Sequence, residues 1–147
     1  MIDRATTRVT NILLVEDDEV DVMNVRRAFE QNQIINPLYI ARDGIEALEM
    51  LRGSRDFAPV IPCDRRIILL DINMPKMNGI EFLEEVRTDP ALRLTPIVVL
   101  TTSDHTKDRV EAYKFNIAGY MLKPLTFDVF SDIMATLNHY WNLCEMP

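Results

Sequence analysis

The chain has 147 residues, of which 48% are hydrophobic and 27% charged, a composition typical of one globular domain. Its 16 basic and 23 acidic side chains give a formal charge of -7, and because so acidic a chain is repelled by phosphate backbones, we expect no nucleic-acid binding. No apolar run approaches the roughly 20 residues of a membrane span, the opening segment lacks a signal-peptide core, and Cys63 and Cys144 form no close-spaced motif, so a cytoplasmic protein is expected.

Five short apolar runs recur along the chain and are predicted to form strands. In chain order they cover residues 12–15, 38–41, 67–70, 97–100 and 120–122. The runs are continuous rather than alternating, which is typical of strands covered on both faces, as in a parallel sheet.

An amphipathic segment follows each run, which predicts a helix after each strand. In the first segment the apolar positions 22, 25, 28 and 29 share one helix face. Asp43 is predicted to cap the second helix, with Glu46 at the capping-box position, and Asn78 precedes the third helix. The fourth helix covers about residues 106–115, and Asn116 tolerates the left-handed conformation of a helix end. The fifth helix begins after residue 124.

The alternation of strands and helices predicts an α/β fold, (βα)5, in which helices cover both faces of a five-stranded parallel sheet in a doubly wound, flavodoxin-like arrangement. We expect one domain over residues 11–143, tails at residues 1–10 and 144–147, and no attached output domain. Residues 53–66 form a long connection with two prolines, and we interpret it as a surface excursion.

Polar residues stand at the carboxyl ends of four predicted strands. Glu16 and Asp17 end the first, Asp71 the third, Thr101 the fourth and Lys123 the fifth. Ligand sites of open α/β sheets lie outside these strand ends, so we expect the side chains to converge. Crowded carboxylates cost several kcal/mol unless they are neutralised, and hard oxygen ligands suit Mg²⁺. The sequence therefore predicts a magnesium site.

Asp71 is the predicted nucleophile, because it ends the central strand among other acids. Aspartyl phosphate is a known type of covalent intermediate. In-line phosphoryl transfer needs positioning and charge stabilisation, which the metal, the Lys123 ammonium and the Thr101 hydroxyl would supply.

Simpler interpretations exist for several acidic residues. Glu16 and Asp17 could form a solvated helix start, since acids favour helix N-termini. This interpretation explains Asp18, Glu19 and Asp21, which we expect to be surface residues.

Other polar residues near the strand ends also have simpler interpretations. Ser103 is interpreted as a cap of the fourth helix, and Tyr120 could be ordinary core packing. His105 and His139 lack metal-ligand spacing and are expected on the surface.

Four motifs in the sequence, "VEDD", "LLDINMPKMNG", "PIVVLTTS" and "AGYMLKP", occur in an order and spacing that resembles the receiver domain of two-component response regulators, the CheY-like superfamily. The resemblance covers essentially the whole chain. It implies that Asp71 is the phosphoacceptor. It also implies that Asp17, Asp71 and the backbone carbonyl of Asn73 bind Mg²⁺, with Glu16 acting through water.

The same resemblance assigns roles to three further residues. Lys123 would contact the phosphoryl group, from a cis bond to Pro124. Thr101 and Tyr120 would form the switch pair: after phosphorylation the Thr101 hydroxyl moves toward the phosphoryl oxygens and the Tyr120 ring turns inward. This movement would change the surface formed by the fourth helix, fifth strand and fifth helix.

The long connection before "IILLD", the stretch "DPALRLTPIVVLTTS" and the tail "LNHYWNLCEMP" resemble the stand-alone regulators that partner cyanobacterial phytochromes. The implied partner is a sensor histidine kinase, a phytochrome. A homodimer through the fourth helix, fifth strand and fifth helix is also implied. The apolar residues of the fifth helix, Phe130, Met134, Leu137 and Trp141, could all be intramolecular core. The helix is nevertheless expected to extend about one turn past the cover of the sandwich with Tyr140, Trp141 and Leu143, so Phe130, Tyr140 and Trp141 are predicted interface residues.

Three functions compete at this point. The first is a phospho-switched signalling module, which modifies only itself and is not a metabolic enzyme. The second is a phosphohydrolase with an aspartate nucleophile, although the second aspartate used by the haloacid-dehalogenase group is here Asn73. The third is an unphosphorylated binding module, which would require loss of Asp71, Lys123 or Asp17, and all three are present.

Overall fold

The five predicted runs form one parallel sheet. In the computed structural model, which describes residues 9–147, the strand order is β2-β1-β3-β4-β5. Strand β1 lies between β2 and the central strand β3, so that Leu14 lies opposite Ile40 on one side and Leu69 on the other. The strands are β1 (Asn11–Val15), β2 (Leu38–Ala41), β3 (Arg66–Leu70), β4 (Ile97–Thr101) and β5 (Gly119–Leu122).

Helices cover both faces of this sheet, which confirms the predicted doubly wound (βα)5 architecture. They are α1 (Glu19–Gln31), α2 (Gly44–Arg52), α3 (Gly79–Thr88), α4 (Thr106–Tyr113) and α5 (Phe127–Leu143). One apolar cluster joins the sheet to α2, α3 and α4, and a second joins it to α1 and α5. None of the described helices is both long and apolar enough to cross a membrane.

Side-chain caps fix the first turns of α2 and α3. Asp43 accepts a hydrogen bond from the Glu46 amide at 2.9 Å, as predicted, but the Glu46 carboxylate accepts from the amide of Arg42 rather than from that of Asp43. Asn78 forms a complete capping box with Glu81. These caps set the directions in which both helices leave the sheet.

The predicted cap role of Ser103 is wrong. The residue that precedes α4 is His105, so Ser103 lies too far upstream to accept from the first helical amides. Its hydroxyl instead donates to the Asp108 carboxylate at 2.5 Å. His105 and His139 are both exposed.

The C-terminal half of α5 is covered by the sandwich, contrary to the sequence prediction. Trp141 is 0% exposed, and its ring centroid lies 6.1 Å from that of Phe29 on α1. Phe130 is also buried, so neither side chain is available to a partner surface. Arg65 explains the coverage, because its guanidinium donates to the backbone carbonyls of Trp141 and Cys144 at 3.1 and 3.2 Å and holds the helix end against the sheet. Tyr140 remains exposed.

The packed part of the chain extends beyond the predicted limits of 11–143 at both ends. Thr10 is buried and its hydroxyl accepts from Arg65, while Met146 packs against the α1–α5 cluster. Residues 1–8 of the predicted N-terminal tail lie outside the described residues.

The long connection over residues 53–66 is tied to the domain through Arg66. Its guanidinium donates to the carbonyls of Leu51 and Ile61 at 2.9 and 2.7 Å. Phe57 and Val60 of the connection are nonetheless exposed. The excursion is therefore anchored at its base and presents an apolar outer edge.

Candidate functional site

The structure brings the five residues predicted from the strand ends into one crevice. Carboxylate oxygens of Glu16, Asp17 and Asp71 all lie within 4.8 Å of one another. The Thr101 hydroxyl donates to Asp71 at 2.6 Å, and the Lys123 ammonium lies 3.5 Å from it. Their convergence follows from the parallel sheet, whose carboxyl ends share one edge.

Backbone contacts fix the position of Asp71. Its amide donates to the carbonyl of Val15 at 3.0 Å, which continues the pairing of β1 and β3 past the end of β3. The amide of Gly79 donates to the carbonyl of Ile72 at 2.9 Å, and this contact places the start of α3 directly against the strand end. A Cβ atom at Gly79 would lie 2.6 Å from the Asp71 carbonyl, so only glycine permits this approach.

The two oxygens of the Asp71 carboxylate have different neighbours. Oδ1 accepts from the Thr101 hydroxyl at 2.6 Å and lies 3.4 Å from the amide nitrogen of Asn73. Oδ2 faces the Lys123 ammonium at 3.5 Å. One side of the carboxylate thus meets neutral donors and the other meets a full positive charge.

The three carboxylates fit the oxygen chemistry of a small divalent cation. Opposite ligands of one Mg²⁺ are about 4.2 Å apart, because each lies at 2.0–2.1 Å. Carboxylate oxygens that all lie within 4.8 Å of one another could hold such an ion after a small contraction or with one ligand acting through water. Asp17 is exposed, and the crevice has a volume of about 550 Å³, which leaves room for the several waters that Mg²⁺ keeps. Asn73 also lines this crevice, so its predicted carbonyl contribution is compatible with its position.

Glu16 and Lys123 form a buried ion pair at 2.5 Å. Burial raises the pKa of Glu16 to about 7; the hydrogen bond from Lys123 opposes this shift and the charge of Asp71 adds to it. For Lys123, burial disfavours the ammonium, but hydrogen bonds to Asp21 and Glu16 outweigh it and hold the Lys123 pKa above its ordinary value. Lys123 is therefore a permanent cation, whereas Glu16 titrates near neutrality.

Asp21 belongs to this site, although it is a predicted surface residue. Its carboxylate accepts a hydrogen bond from Lys123 at 2.8 Å. The N-cap of α1, Asp18, accepts from the amides of Val20 and Asp21 and directs the first helical turn along the crevice. The available signal was the position of Asp21 in the first turn of the helix that directly follows the acidic strand end.

Thr101 and Tyr120 are connected through Ser103. The Tyr120 hydroxyl donates to the backbone carbonyl of Ser103 at 2.8 Å, and the amide of Ser103 donates to the Thr101 hydroxyl at 3.3 Å. Tyr120 is half-buried, and burial raises its pKa. A continuous chain of hydrogen bonds thus runs from Asp71 to the tyrosine on β5, which is more than ordinary core packing.

The predicted cis bond before Pro124 is wrong. Every described peptide bond is trans, the lower-energy isomer, and Lys123 reaches the crevice from this backbone. The amide of Lys123 donates to the carbonyl of Thr101 at 2.8 Å, which extends the β4–β5 pairing and aims the lysine at the strand ends.

Comparison with known proteins agrees with the geometry. Residues 12–135 match the family described as the response regulator receiver domain. Two relatives match this chain over most of their own length. The probable methanogenesis regulatory protein FilR2 of Methanothrix harundinacea is 36% identical over 88% of this chain and 82% of its own length. Response regulator Rcp1 of Synechocystis sp. is 33% identical over 88% of this chain and 87% of its own length.

Solved structures extend the likeness to three dimensions. The crystal structure of the phosphorylated cyanobacterial phytochrome response regulator RcpA superimposes with a TM-score of 0.83 and 30% identity, over 95% of this chain and 99% of RcpA. The Mn²⁺-bound form of Rcp1 gives a TM-score of 0.81 and 31% identity, over 94% of this chain and 99% of Rcp1.

Proposed function

The chain belongs to the response regulator receiver family, and from this premise we propose that it accepts a phosphoryl group on Asp71 from a histidine kinase and signals by a conformational switch. The observation that carries this proposal is the buried Asp71 carboxylate, which belongs to a three-carboxylate cluster and faces a buried ammonium. Such a site binds an anionic phosphoryl group only when a cation joins it.

The proposed transfer breaks the P–N bond of a phosphohistidine on the kinase and forms a P–O bond to the Asp71 carboxylate. Bound Mg²⁺ would neutralise charge on the phosphoryl oxygens, with Asp17, Asp71 and the Asn73 carbonyl as ligands and Glu16 acting through water. Lys123 supplies a second positive charge beside Asp71, and the Thr101 hydroxyl is an available donor to a phosphoryl oxygen.

Incubation with Mg²⁺ and acetyl phosphate tests this function. We expect a stoichiometric mass gain of one phosphoryl group on Asp71, which is lost in Asp71→Asn and when the metal is chelated. Continuous release of phosphate at a high rate would indicate a phosphohydrolase instead, although Asn73 offers no carboxyl proton. No mass gain would indicate a receiver-like binding module.

The kinase we propose is a sensor of the phytochrome type. RcpA and Rcp1 support this choice, because RcpA is a cyanobacterial phytochrome response regulator and Rcp1 resembles this chain over a similar length. Transfer of labelled phosphate from an autophosphorylated phytochrome kinase to the wild type, but not to Asp71→Asn, is the expected result. Failure with such kinases, together with efficient transfer from another sensor kinase, would reject the phytochrome assignment.

Exposed apolar side chains that line the crevice or lie near its residues in sequence support docking of a kinase there. Val20 lines the crevice, Met23 is exposed on α1, and Leu125 is fully exposed two residues after Lys123. We expect Leu125→Glu to slow transfer from the kinase without slowing phosphorylation by acetyl phosphate. Ile35→Glu is the control, since Ile35 is a similarly exposed apolar residue in the connection between α1 and β2, which leads into the start of a strand at the opposite edge of the sheet. Equal effects of both variants on the kinase reaction would contradict this docking site.

The proposed switch connects Asp71 to β5 through Thr101, Ser103 and Tyr120. In this structure the hydroxyl of Thr101 already points to Asp71, and Tyr120 is held by Ser103. A phosphoryl group on Asp71 would compete for the Thr101 hydroxyl and so stabilise one arrangement of this hydrogen-bonded chain.

The proposed homodimer uses the outer surface of α4, β5 and α5. This surface carries the exposed apolar side chains Val110, Tyr113, Leu122, Val129, Tyr140 and Leu143. β5 is an edge strand, and unpaired edges favour association. We expect the wild type to have twice the chain mass in solution and Leu122→Arg to be monomeric, with Ile35→Arg as the control. A monomeric wild type at all concentrations would reject this dimer.

A further inference from the structure

The ammonium of Lys123 is bound from two sides. Its nitrogen lies 2.5 Å from the Glu16 carboxylate and 2.8 Å from the carboxylate of Asp21 on α1, while Asp71 is farther away at 3.5 Å. The Lys123 side chain is 8% exposed, so these contacts are shielded from solvent. The shorter contacts of the lysine are therefore with Glu16 and α1, and the phosphoacceptor is its most distant partner of the three.

Asp21 differs from the other two acceptors in its relation to the metal. Glu16 and Asp71 belong to the three-carboxylate cluster with Asp17, and Asp21 does not. A cation in that cluster would attract the carboxylate oxygens of Glu16 and Asp71 and would repel the Lys123 ammonium from them. Asp21 then remains as the acceptor that keeps Lys123 in the crevice.

We propose that Asp21 is a positioning residue for Lys123. An ammonium has three N–H donors, and a bond from one of them to Asp21 orients the remaining donors toward a phosphoryl group on Asp71. The proposal rests on the function proposed above, because it assigns a role only if Asp71 accepts a phosphoryl group.

Removal of Asp21 has two opposite effects. Without its contact to Asp21, the Lys123 side chain is no longer held in one orientation before the reaction, which slows transfer. Loss of one negative charge beside the crevice favours the approach of an anionic phosphodonor, which speeds transfer. An experiment must separate positioning from charge.

Glu19 provides the matched control. It lies in the same first turn of α1, its side chain is 67% exposed, and its partner is Arg42 rather than Lys123. Asp21→Ala and Glu19→Ala each remove one acid from the start of the helix, so they have similar effects on the net charge and on the helix dipole. Thermal melts show whether both variants are folded.

The measurement is the rate constant of phosphorylation by acetyl phosphate at saturating Mg²⁺. We expect Asp21→Ala to be roughly tenfold slower than Glu19→Ala, and Asp21→Asn, which keeps an acceptor oxygen, to be faster than Asp21→Ala. Asp21→Ala at or above the rate of Glu19→Ala would overturn the proposal.

A double-mutant cycle shows whether Asp21 acts through Lys123. In a Lys123→Ala background, we expect Asp21→Ala to cause no further slowing. An undiminished tenfold effect in that background would refute a positioning role. Absence of phosphorylation in the wild type would instead reject the proposed function itself, so the two failures are distinguishable.

Discussion

Glu16 lines the crevice and is almost fully buried, and one of its carboxylate oxygens belongs to the three-carboxylate cluster. Burial raises its pKa to about 7, although Lys123 donates a hydrogen bond to it. A proton on Glu16 and a cation in the cluster both relieve the same repulsion between Glu16 and Asp71. They therefore compete for the site.

This competition predicts a pH dependence of Mg²⁺ affinity. Below about pH 7 Glu16 holds a proton, and Mg²⁺ binding must displace it, so affinity falls as the pH falls through the Glu16 pKa. Calorimetry in buffers of different ionisation enthalpy should detect proton release on binding. In Glu16→Gln we expect the pH dependence of Mg²⁺ affinity to move to the ordinary carboxylate range, about pH 4. Equal wild-type affinity at about pH 6 and pH 8 would contradict this assignment.

At the scale of single residues, the sequence predicted those that adjoin a strand end. Glu16, Asp17 and Asp71 directly follow apolar runs, so their common edge follows from a parallel sheet alone. Asp21 was missed because its contact with Lys123 depends on the rotation of α1 about its own axis. Tertiary packing of α1 on the sheet determines that rotation.

Among the secondary-structure elements, the junction between β3 and α3 determines where Asp71 lies. The first residue of α3, Gly79, approaches the backbone of residues 71 and 72 more closely than any side chain permits. The connecting loop contains Lys76 at a φ of 60°, a left-handed conformation uncommon for residues with a Cβ. The loop is thus shaped to bring the helix back onto the strand end.

Gly79→Ala is predicted to disturb both the fold and the site. The new methyl group would lie 2.6 Å from the Asp71 carbonyl, and the resulting shift of α3 should cost about 2 kcal/mol of unfolding free energy and weaken Mg²⁺ binding. Gly119→Ala is the control, since a Cβ there meets nothing within 4 Å. Urea denaturation and Mg²⁺ titration of both variants provide the measurement. Equal stability of the two variants would show that the junction is not tight.

At the same scale, the five strands and five helices were predictable because their sequence patterns are local. The burial of the C-terminal end of α5 was not predictable from such a local pattern. Its burial depends on Arg65, far away in sequence, whose guanidinium donates to the carbonyls of Trp141 and Cys144. A periodic pattern identifies the apolar face of a helix but does not show how far the sheet and its neighbours cover it.

Over the whole molecule, the two apolar layers contribute differently. The layer containing α2, α3 and α4 lies under the β3–α3 junction, whereas the layer containing α1 and α5 holds Trp141 between the sheet and Phe29. The indole is fully buried, so its main contribution is to the stability of the single chain rather than to an interface.

Trp141→Ala is therefore expected to destabilise the chain by about 3–5 kcal/mol, because it leaves a large cavity in this layer. Trp141→Phe, which keeps most of the apolar contact, should cost less. Chemical denaturation measures both, and sedimentation at low temperature should show no direct effect of Trp141→Phe on the oligomeric state. A fully stable Trp141→Ala would contradict the observed burial.

The chain contains a single tryptophan, and its location has a practical consequence. Its emission originates in the layer formed with α1, the same helix that carries Asp21 at its start, and is remote from the face covered by α4. Intrinsic fluorescence is thus a label-free optical probe of α1, sensitive to movements of that helix when the lysine changes partners. Events confined to the opposite face need a probe placed there.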